Sequence, residues 1–112
     1  MARQPKAIDY TSGTVSNSAV TLFEMGSALV TSIPTGARSF CGTVESAAVR
    51  ARGDGTAPTA SEGQLIAQNG IIYLGESEFD TMEFIREDTT DAEIRGHFYN
   101  VEVDVLIGKV GS

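Results

Sequence analysis

The sequence has no tryptophan, one cysteine and one histidine. The lone Cys41 excludes an internal disulfide, so the fold must hold without covalent cross-links. The lone His97 has no second histidine with which to share a metal ion. No apolar run approaches the ~20 residues that span a bilayer, and the N-terminus lacks the apolar core of a signal peptide. We therefore expect a soluble chain that is made in a cytoplasm and has no membrane partner.

Basic residues are also scarce. Eight Lys and Arg stand against fifteen Asp and Glu, giving a formal net charge of −7. Phosphate binding depends on cationic side chains, so this balance argues against a nucleic-acid partner. Eight of the acids fall in one run that contains Arg86 as its only base: Glu76, Glu78, Asp80, Glu83, Glu87, Asp88, Asp91 and Glu93. Their spacing does not match a calcium-binding loop, and we expect the run to face solvent.

The 112 residues suit one domain with a modest core, built mostly from Val, Ile, Leu and Ala. Apolar and polar residues alternate in Phe40–Glu45, Val49–Arg52 and Ala92–Tyr99, and the alternation continues from Val101 to Ile107. A period of two predicts strands with one buried face. Weaker strand signals cover 7–10, 14–23, 28–33, 64–68 and 71–74, and 79–86 fits a strand or a helical turn leading into one.

Turn residues punctuate these segments. Asn69-Gly70 lies between two apolar runs and predicts a hairpin, while residues 53–63 are rich in Gly, Pro, Ser and Thr and predict a long loop. The pattern predicts an all-β fold, a single antiparallel β-sandwich whose strand order, jelly-roll or immunoglobulin-like, is left open. We place a flexible N-terminal arm at 1–7, the sandwich domain at 8–104 and a C-terminal extension at 105–112.

Catalytic motifs do not emerge from the sequence. His97 lies on the outward phase of its strand and Cys41 lies among small residues, so we interpret both as structural. Gly53-Asp54-Gly55 opens onto no helix, which argues against a phosphate loop. Arg52-Gly53-Asp54 matches a cell-adhesion tripeptide, a string short enough to arise by chance. We predict no enzyme activity, no cofactor and no metal.

The stretch from Val49 to Gly63 resembles a family of small β-structured virion proteins of tailed bacteriophages, in which a strand with alternating basic residues precedes an Asp-Gly-Thr-Ala-Pro-Thr-Ala loop closed by glycine. The resemblance continues more weakly through Phe84–Arg86 and Asp91–Ile94, covering about half of the chain from near Val44 to Tyr99. Two features depart from the family pattern: Gly53 stands where a longer residue is expected, and the chain extends beyond Val101.

The resemblance implies a virion structural protein, and we expect a capsid decoration (cement) protein that binds the major capsid protein on the particle exterior as a homotrimer. The two terminal segments would bind the neighbouring subunits. The residues that we expect to contact the partner are Arg3, Lys6, Ile8, Val105, Ile107 and Val110.

Two alternatives remain. One is a tail- or fibre-associated module that touches a host receptor or glycan through exposed loops such as 54–63. The other is a small carbohydrate-active enzyme that uses paired carboxylates such as Glu83 and Glu87. No spacing rule in the sequence favours the second.

Overall fold

A computed structural model describes residues 4–111, with the backbone alone for 108–111. The chain is mostly β, in two antiparallel sheets. The strands are β1 (Ala7–Val15), β2 (Ser39–Glu45), β3 (Val49–Arg52), β4 (Gln64–Ile66), β5 (Ile71–Gly75), β6 (Glu83–Arg86) and β7 (Ala92–Tyr99). A single 3₁₀ turn (Glu76–Glu78) follows β5, and a helix, α1 (Val103–Gly111), follows β7. No helix within residues 4–111 is long and apolar enough to cross a membrane.

The four-stranded sheet has the order β1-β7-β2-β5, and the three-stranded sheet has the order β4-β3-β6. Both sheets contribute to one core, in which the largest fully buried side chains include four phenylalanines: Phe40, Phe79, Phe84 and Phe98. The ring of Phe98 packs against those of Phe40 and Phe79, at centroid distances of 5.1 and 5.3 Å. The core therefore centres on aromatic rings, with the predicted aliphatic residues around them.

The predicted alternation is confirmed in β2, β3 and β7. In β7 the residues Ala92, Ile94 and Phe98 are buried, while Arg95 and His97 face solvent. In β3 the small apolar residues point inward and both arginines are half-buried on the other face. For 79–86 the sequence leaves a strand or a helical turn leading into one, and the structure has the strand β6 over Glu83–Arg86, with the 3₁₀ turn before the segment at Glu76–Glu78.

The strands predicted at 14–23 and 28–33 are wrong beyond Val15. From Ser16 to Arg38 the chain is irregular, with bridges at Thr14–Gly26 and Val20–Phe84. Val20 exchanges backbone hydrogen bonds of 2.9 and 2.7 Å with Phe84, and Thr14 does so with Gly26 at 2.7 and 3.1 Å. This segment, Ser16–Ala28, therefore crosses from the edge of one sheet to the edge of the other. Its apolar side chains pack in the core and do not form one face of a sheet.

The Asn69-Gly70 hairpin is also wrong. A turn does form, because the Gly70 N–H donates to the Ala67 carbonyl (2.8 Å) and Asn69 adopts a positive φ of 73°. However, β4 pairs with β3 in one sheet, and β5 pairs with β2 in the other. The turn therefore connects the two sheets. Asn69 and Gly70 together oppose Val44 in a β-bulge, with hydrogen bonds of 2.7 and 3.0 Å.

The C-terminal run is helical where the alternation predicts a strand. Val103 and Leu106 are spaced by three residues, and this period places Leu106 inward at 2% exposure while Val105 and Ile107 stay 43% exposed. The helix lies on the outer face of the four-stranded sheet. Ser39 belongs to the outward phase of β2 yet is fully buried, and Val103 approaches Gly75 of β5. The extension predicted at 105–112 is thus largely a docked helix, described as far as Gly111.

The N-terminal arm predicted at 1–7 is shorter than expected within the described residues. Ala7 already pairs with Tyr99 in the sheet. The Lys6 N–H donates to the Asn100 side chain (2.8 Å), and its carbonyl accepts from the Asn100 N–H (3.2 Å). These bonds fix the chain from Lys6 onward.

Candidate binding surface

The outer face of the four-stranded sheet collects the rarest side chains of the protein. All three tyrosines, the single histidine and the single cysteine project from this face, which we call the tyrosine face: Tyr10, Cys41, Tyr73, His97 and Tyr99. The strand register explains the arrangement. Tyr10 is opposite His97, His97 is opposite Cys41, and Cys41 is opposite Tyr73, so one row crosses all four strands.

Aromatic contacts order the centre of this row. The His97 ring lies 5.0 Å from that of Tyr10 and 6.3 Å from that of Tyr99, both tilted by nearly 60°. Tyr10 remains 41% exposed, and the neighbouring Ile71 is 58% exposed. The row lines a shallow, open depression in the sheet. A partner therefore meets an amphipathic surface that β-strands hold in place before binding.

Charged side chains lie at both ends of the tyrosine face. Arg95 pairs with Glu93 on its own strand and lies 3.7 Å from the Glu45 carboxylate on β2. Helix α1 covers the opposite end, over Ser39 and Gly75, where Arg38 pairs with Glu76 and Glu102. The tyrosine row between these two boundaries contains no acidic residue, although the chain carries a net charge of −7.

The Cys41 thiol is held in its protonated form. Burial raises the pKa of Cys41, and a hydrogen bond with Tyr73 opposes this rise only in part. Burial also raises the pKa of Tyr73, with a further contribution from the neighbouring Cys41. A protonated thiol is a poor nucleophile at neutral pH. The pair therefore contributes a neutral polar contact to the face.

Other sequence candidates lie apart from this face. Arg52 donates two hydrogen bonds of 2.8 and 3.0 Å to the Asp54 carboxylate. The two charged residues of the adhesion-like tripeptide therefore form an ion pair with each other. Glu83 begins β6 and Glu87 follows its last residue, so their Cα atoms are about 13 Å apart along the extended chain.

The acidic run is partly neutralised by arginines. Arg38 pairs with Glu76 (2.9 Å) and Glu102 (3.0 Å), and Arg86 pairs with Asp91. Glu78 accepts a hydrogen bond from the Gly75 N–H (2.8 Å). Residues 4–111 hold no group of three or more His, Cys, Asp or Glu side chains placed to bind a metal.

The predicted contact residues fall in several environments. Lys6 is exposed but its backbone is bonded to Asn100, while Ile8 is half-buried and packs against the core. Val105 and Ile107 are exposed on α1. Arg3 and the side chain of Val110 lie outside what the structure describes.

The sequence placed His97 and Tyr99 on one strand, but it did not reveal the whole face. Alternation in the sequence indicates which residues of each strand point outward. It does not give the strand order, which is needed to bring those residues onto one face. No family model, curated protein or solved structure matches the chain.

Proposed function

We propose that the protein is a non-enzymatic structural protein of a phage virion, and specifically a decoration protein. In this role a β-sandwich binds the lattice of the major capsid protein on the head exterior as a homo-oligomer. The resemblance in Val49–Gly63 supports the virion assignment. The observation that carries the binding role is the tyrosine face, which gathers every tyrosine, histidine and cysteine of the chain on one rigid sheet surface.

Tyrosine suits such a surface because its ring buries apolar area while its hydroxyl still finds a polar partner. Tyrosine is enriched in interfaces, where charged side chains are depleted from the centre. The tyrosine row has this composition: aromatic and neutral in the middle, with Arg95, Glu45 and Glu93 at one rim. These features support a protein partner.

Helix α1 extends the same surface. It lies on the outer side of the four-stranded sheet, so the exposed Val105 and Ile107 are on the side of the molecule that presents Tyr10 and His97. Both residues belong to the segment that the sequence assigns to partner contact. We propose that the helix and the tyrosine face bind the capsid protein together, and that many symmetric copies add avidity.

The first test is the composition of the particle. Virions produced from the genome that encodes this chain would be purified on a density gradient and analysed by quantitative mass spectrometry. A decoration protein approaches the copy number of the coat protein. Complete absence of the chain from purified particles would contradict the proposal.

The second test is rebinding. Particles that lack the protein would be mixed with purified wild type, Tyr10→Ala or Leu29→Ala, and then sedimented. Tyr10 lies on the tyrosine face, whereas Leu29 is 65% exposed in the connection after β1. We expect Tyr10→Ala to weaken binding about tenfold or more, as truncation of an interface aromatic does, and Leu29→Ala to bind as wild type.

The alternative role in a tail or fibre relies on the 54–63 loop. This loop is exposed and ordered by its own bonds: Thr59 accepts hydrogen bonds from the backbone N–H groups of Ser61 and Glu62, and Arg50 donates to the Gly63 carbonyl at 3.1 Å. Few copies per particle, together with binding to host cells that a loop variant abolishes, would favour this role over decoration.

A further inference from the structure

The edges of the two sheets differ between the two sides of the molecule. On one side, segment Ser16–Ala28 bonds to β1 through Thr14 and to β6 through Phe84. On the other side, β5 ends the four-stranded sheet and β4 ends the three-stranded sheet. Residues 67–70 join these two strands, so both edges lie on the same side of the molecule. On this second side no segment of the described residues bridges the two edge strands.

The hydrogen-bond pattern of β5 determines which of its backbone groups are available for pairing at the edge. Val44 of β2 bonds to the Asn69-Gly70 bulge, so Ile72 and Leu74 are the next residues bonded to β2 in an antiparallel ladder. The peptide groups of Ile71 and Tyr73 therefore point away from β2, to the side where no strand of the described chain lies. The Gly75 N–H on the same side is already bound to the Glu78 carboxylate.

The sequence of β5 favours pairing. Its five residues, Ile-Ile-Tyr-Leu-Gly, include no charge and no proline, the two devices that usually protect an edge strand. The other edge strands have protective features: β6 carries Glu83 and Arg86, β1 carries Asp9 and is bridged at Thr14, and β4 is only three residues long. An apolar edge without protective residues is a template for pairing with another strand, which indicates a partner at this site.

We propose that two copies of the protein pair through β5, antiparallel, about a two-fold axis at Ile72. Ile71 of each copy then faces Tyr73 of the partner subunit, and each of these two pairs exchanges two backbone hydrogen bonds. The geometry is self-complementary because the two residues with outward peptide groups are each other's partners. The two four-stranded sheets become one continuous sheet.

Side chains support the same register. Ile71 and Tyr73 both project from the outer face of the sheet, so a β-branched residue packs on an aromatic ring twice across the two-fold axis. The exposed surface of Ile71, 58% in the single chain, is covered in the pair. Two tyrosine faces are joined side by side, which doubles the surface available to a larger partner. A two-fold pair differs from the homotrimer expected from the sequence, and the pairing stands independently of any virion.

The test is the oligomeric state of the purified chain. Sedimentation velocity over a range of concentrations should show a shift from 11.8 kDa toward twice that mass. Ile71→Lys should weaken the association at least about tenfold, because it places a charge on the edge. Leu65→Lys is the matched control: Leu65 is 51% exposed on β4, the edge of the other sheet, and the variant should dimerise as wild type.

A cross-link tests the register. In a Cys41→Ala background, the double variant Ile71→Cys/Tyr73→Cys should form a covalent dimer on mild oxidation, whereas Ile71→Cys alone should form far less. The background change is needed because Cys41 is opposite Tyr73 within the chain. A monomer at every concentration, or an oligomer that Ile71→Lys leaves intact, would overturn the inference. Neither result would bear on the presence of the chain in virions, which mass spectrometry measures separately.

Discussion

Gly42 and Gly96 face each other on neighbouring strands of the four-stranded sheet, and the ring of Phe40 lies over both. A Cβ on Gly96 would lie 2.3 Å from the Cys41 carbonyl oxygen and 2.8 Å from the tip of the Phe40 ring. Because glycine has no side chain, Gly42 and Gly96 leave the space that the Phe40 ring fills. The pair connects the aromatic core with the strands that carry the tyrosine face on their other side.

We expect Gly96→Ala to lower the free energy of unfolding by about 2–4 kcal/mol, because the added methyl group must displace backbone. Guanidinium unfolding measures the change. Gly26→Ala is the matched control, since a Cβ there meets Thr14 only at 3.8 Å. A Gly96→Ala variant as stable as the control would show that the sheet accommodates the methyl group without loss.

The Cys41 thiol should react slowly with a disulfide reagent at neutral pH, because burial raises its pKa. Tyr73→Phe removes the hydrogen bond that lowers the pKa, so the reaction should slow further. Tyr10→Phe removes a hydroxyl elsewhere on the same face and should leave the rate unchanged. The measurement is the thiol reaction rate as a function of pH, with the unfolded chain as reference. Equal rates for the folded and unfolded chains would refute the raised pKa.

The same pKa predicts a loss of stability in alkali. A thiol whose pKa is raised by folding contributes stability below its unfolded pKa, and this contribution is lost as the pH rises through the folded pKa. The wild type should therefore lose more unfolding free energy than Cys41→Ala between neutral pH and strongly alkaline pH. Denaturant unfolding at both pH values gives the comparison. Parallel losses in the two proteins would assign the effect to other groups.

The Asp54 carboxyl should titrate below its usual range, because the Arg52 guanidinium and the Thr56 N–H hold its pKa down. A carboxyl with a depressed folded pKa stabilises the fold above its unfolded pKa, and the effect disappears as the pH falls through the folded pKa. Carbon-detected NMR titration measures the pKa of Asp54. Arg52→Gln should raise the pKa of Asp54, while Arg86→Gln, which affects a distant ion pair, should not.

Leu106 should hold helix α1 on the sheet. We expect Leu106→Ala to lower the free energy of helix opening by about 2 kcal/mol, the low end for a buried leucine, because Leu106 lies apart from the main core. Amide hydrogen exchange in 103–111 reports the opening. Val105→Ala, at an exposed position of the same helix, is the control. Unchanged exchange in Leu106→Ala would show that other contacts dock the helix.

The sequence predicts the parts of the fold that depend on local pattern. Alternation in β2, β3 and β7 is strict, and the structure has strands there. In 101–107 the same alternation is misleading, because Leu106 also satisfies a helical spacing with Val103, and packing against the sheet decides between them. Asn69-Gly70 predicts a turn correctly, but local sequence does not specify which strands the turn connects.

The tyrosine face depends on long-range pairing, which explains why it was not predicted. Tyr10 and His97 are 87 positions apart in the chain and become neighbours only because β1 pairs with β7. Cys41 and Tyr73 join them through β2 and β5. Strand order is a property of the whole core, where Phe98 packs on rings from three other segments.

The crossing of segment Ser16–Ala28 has a consequence for the limits of assembly. The segment bonds to β1 at Thr14 and to β6 at Phe84 and Arg86, so part of the strand edge on the far side of the molecule is already paired within the chain. A two-fold pair uses the β5 edge of both copies, so pairing through β5 closes at two copies even though β5 lacks protective charges. The loop that departs most from the predicted strands thus shortens the strand edge that a paired copy still presents to further copies.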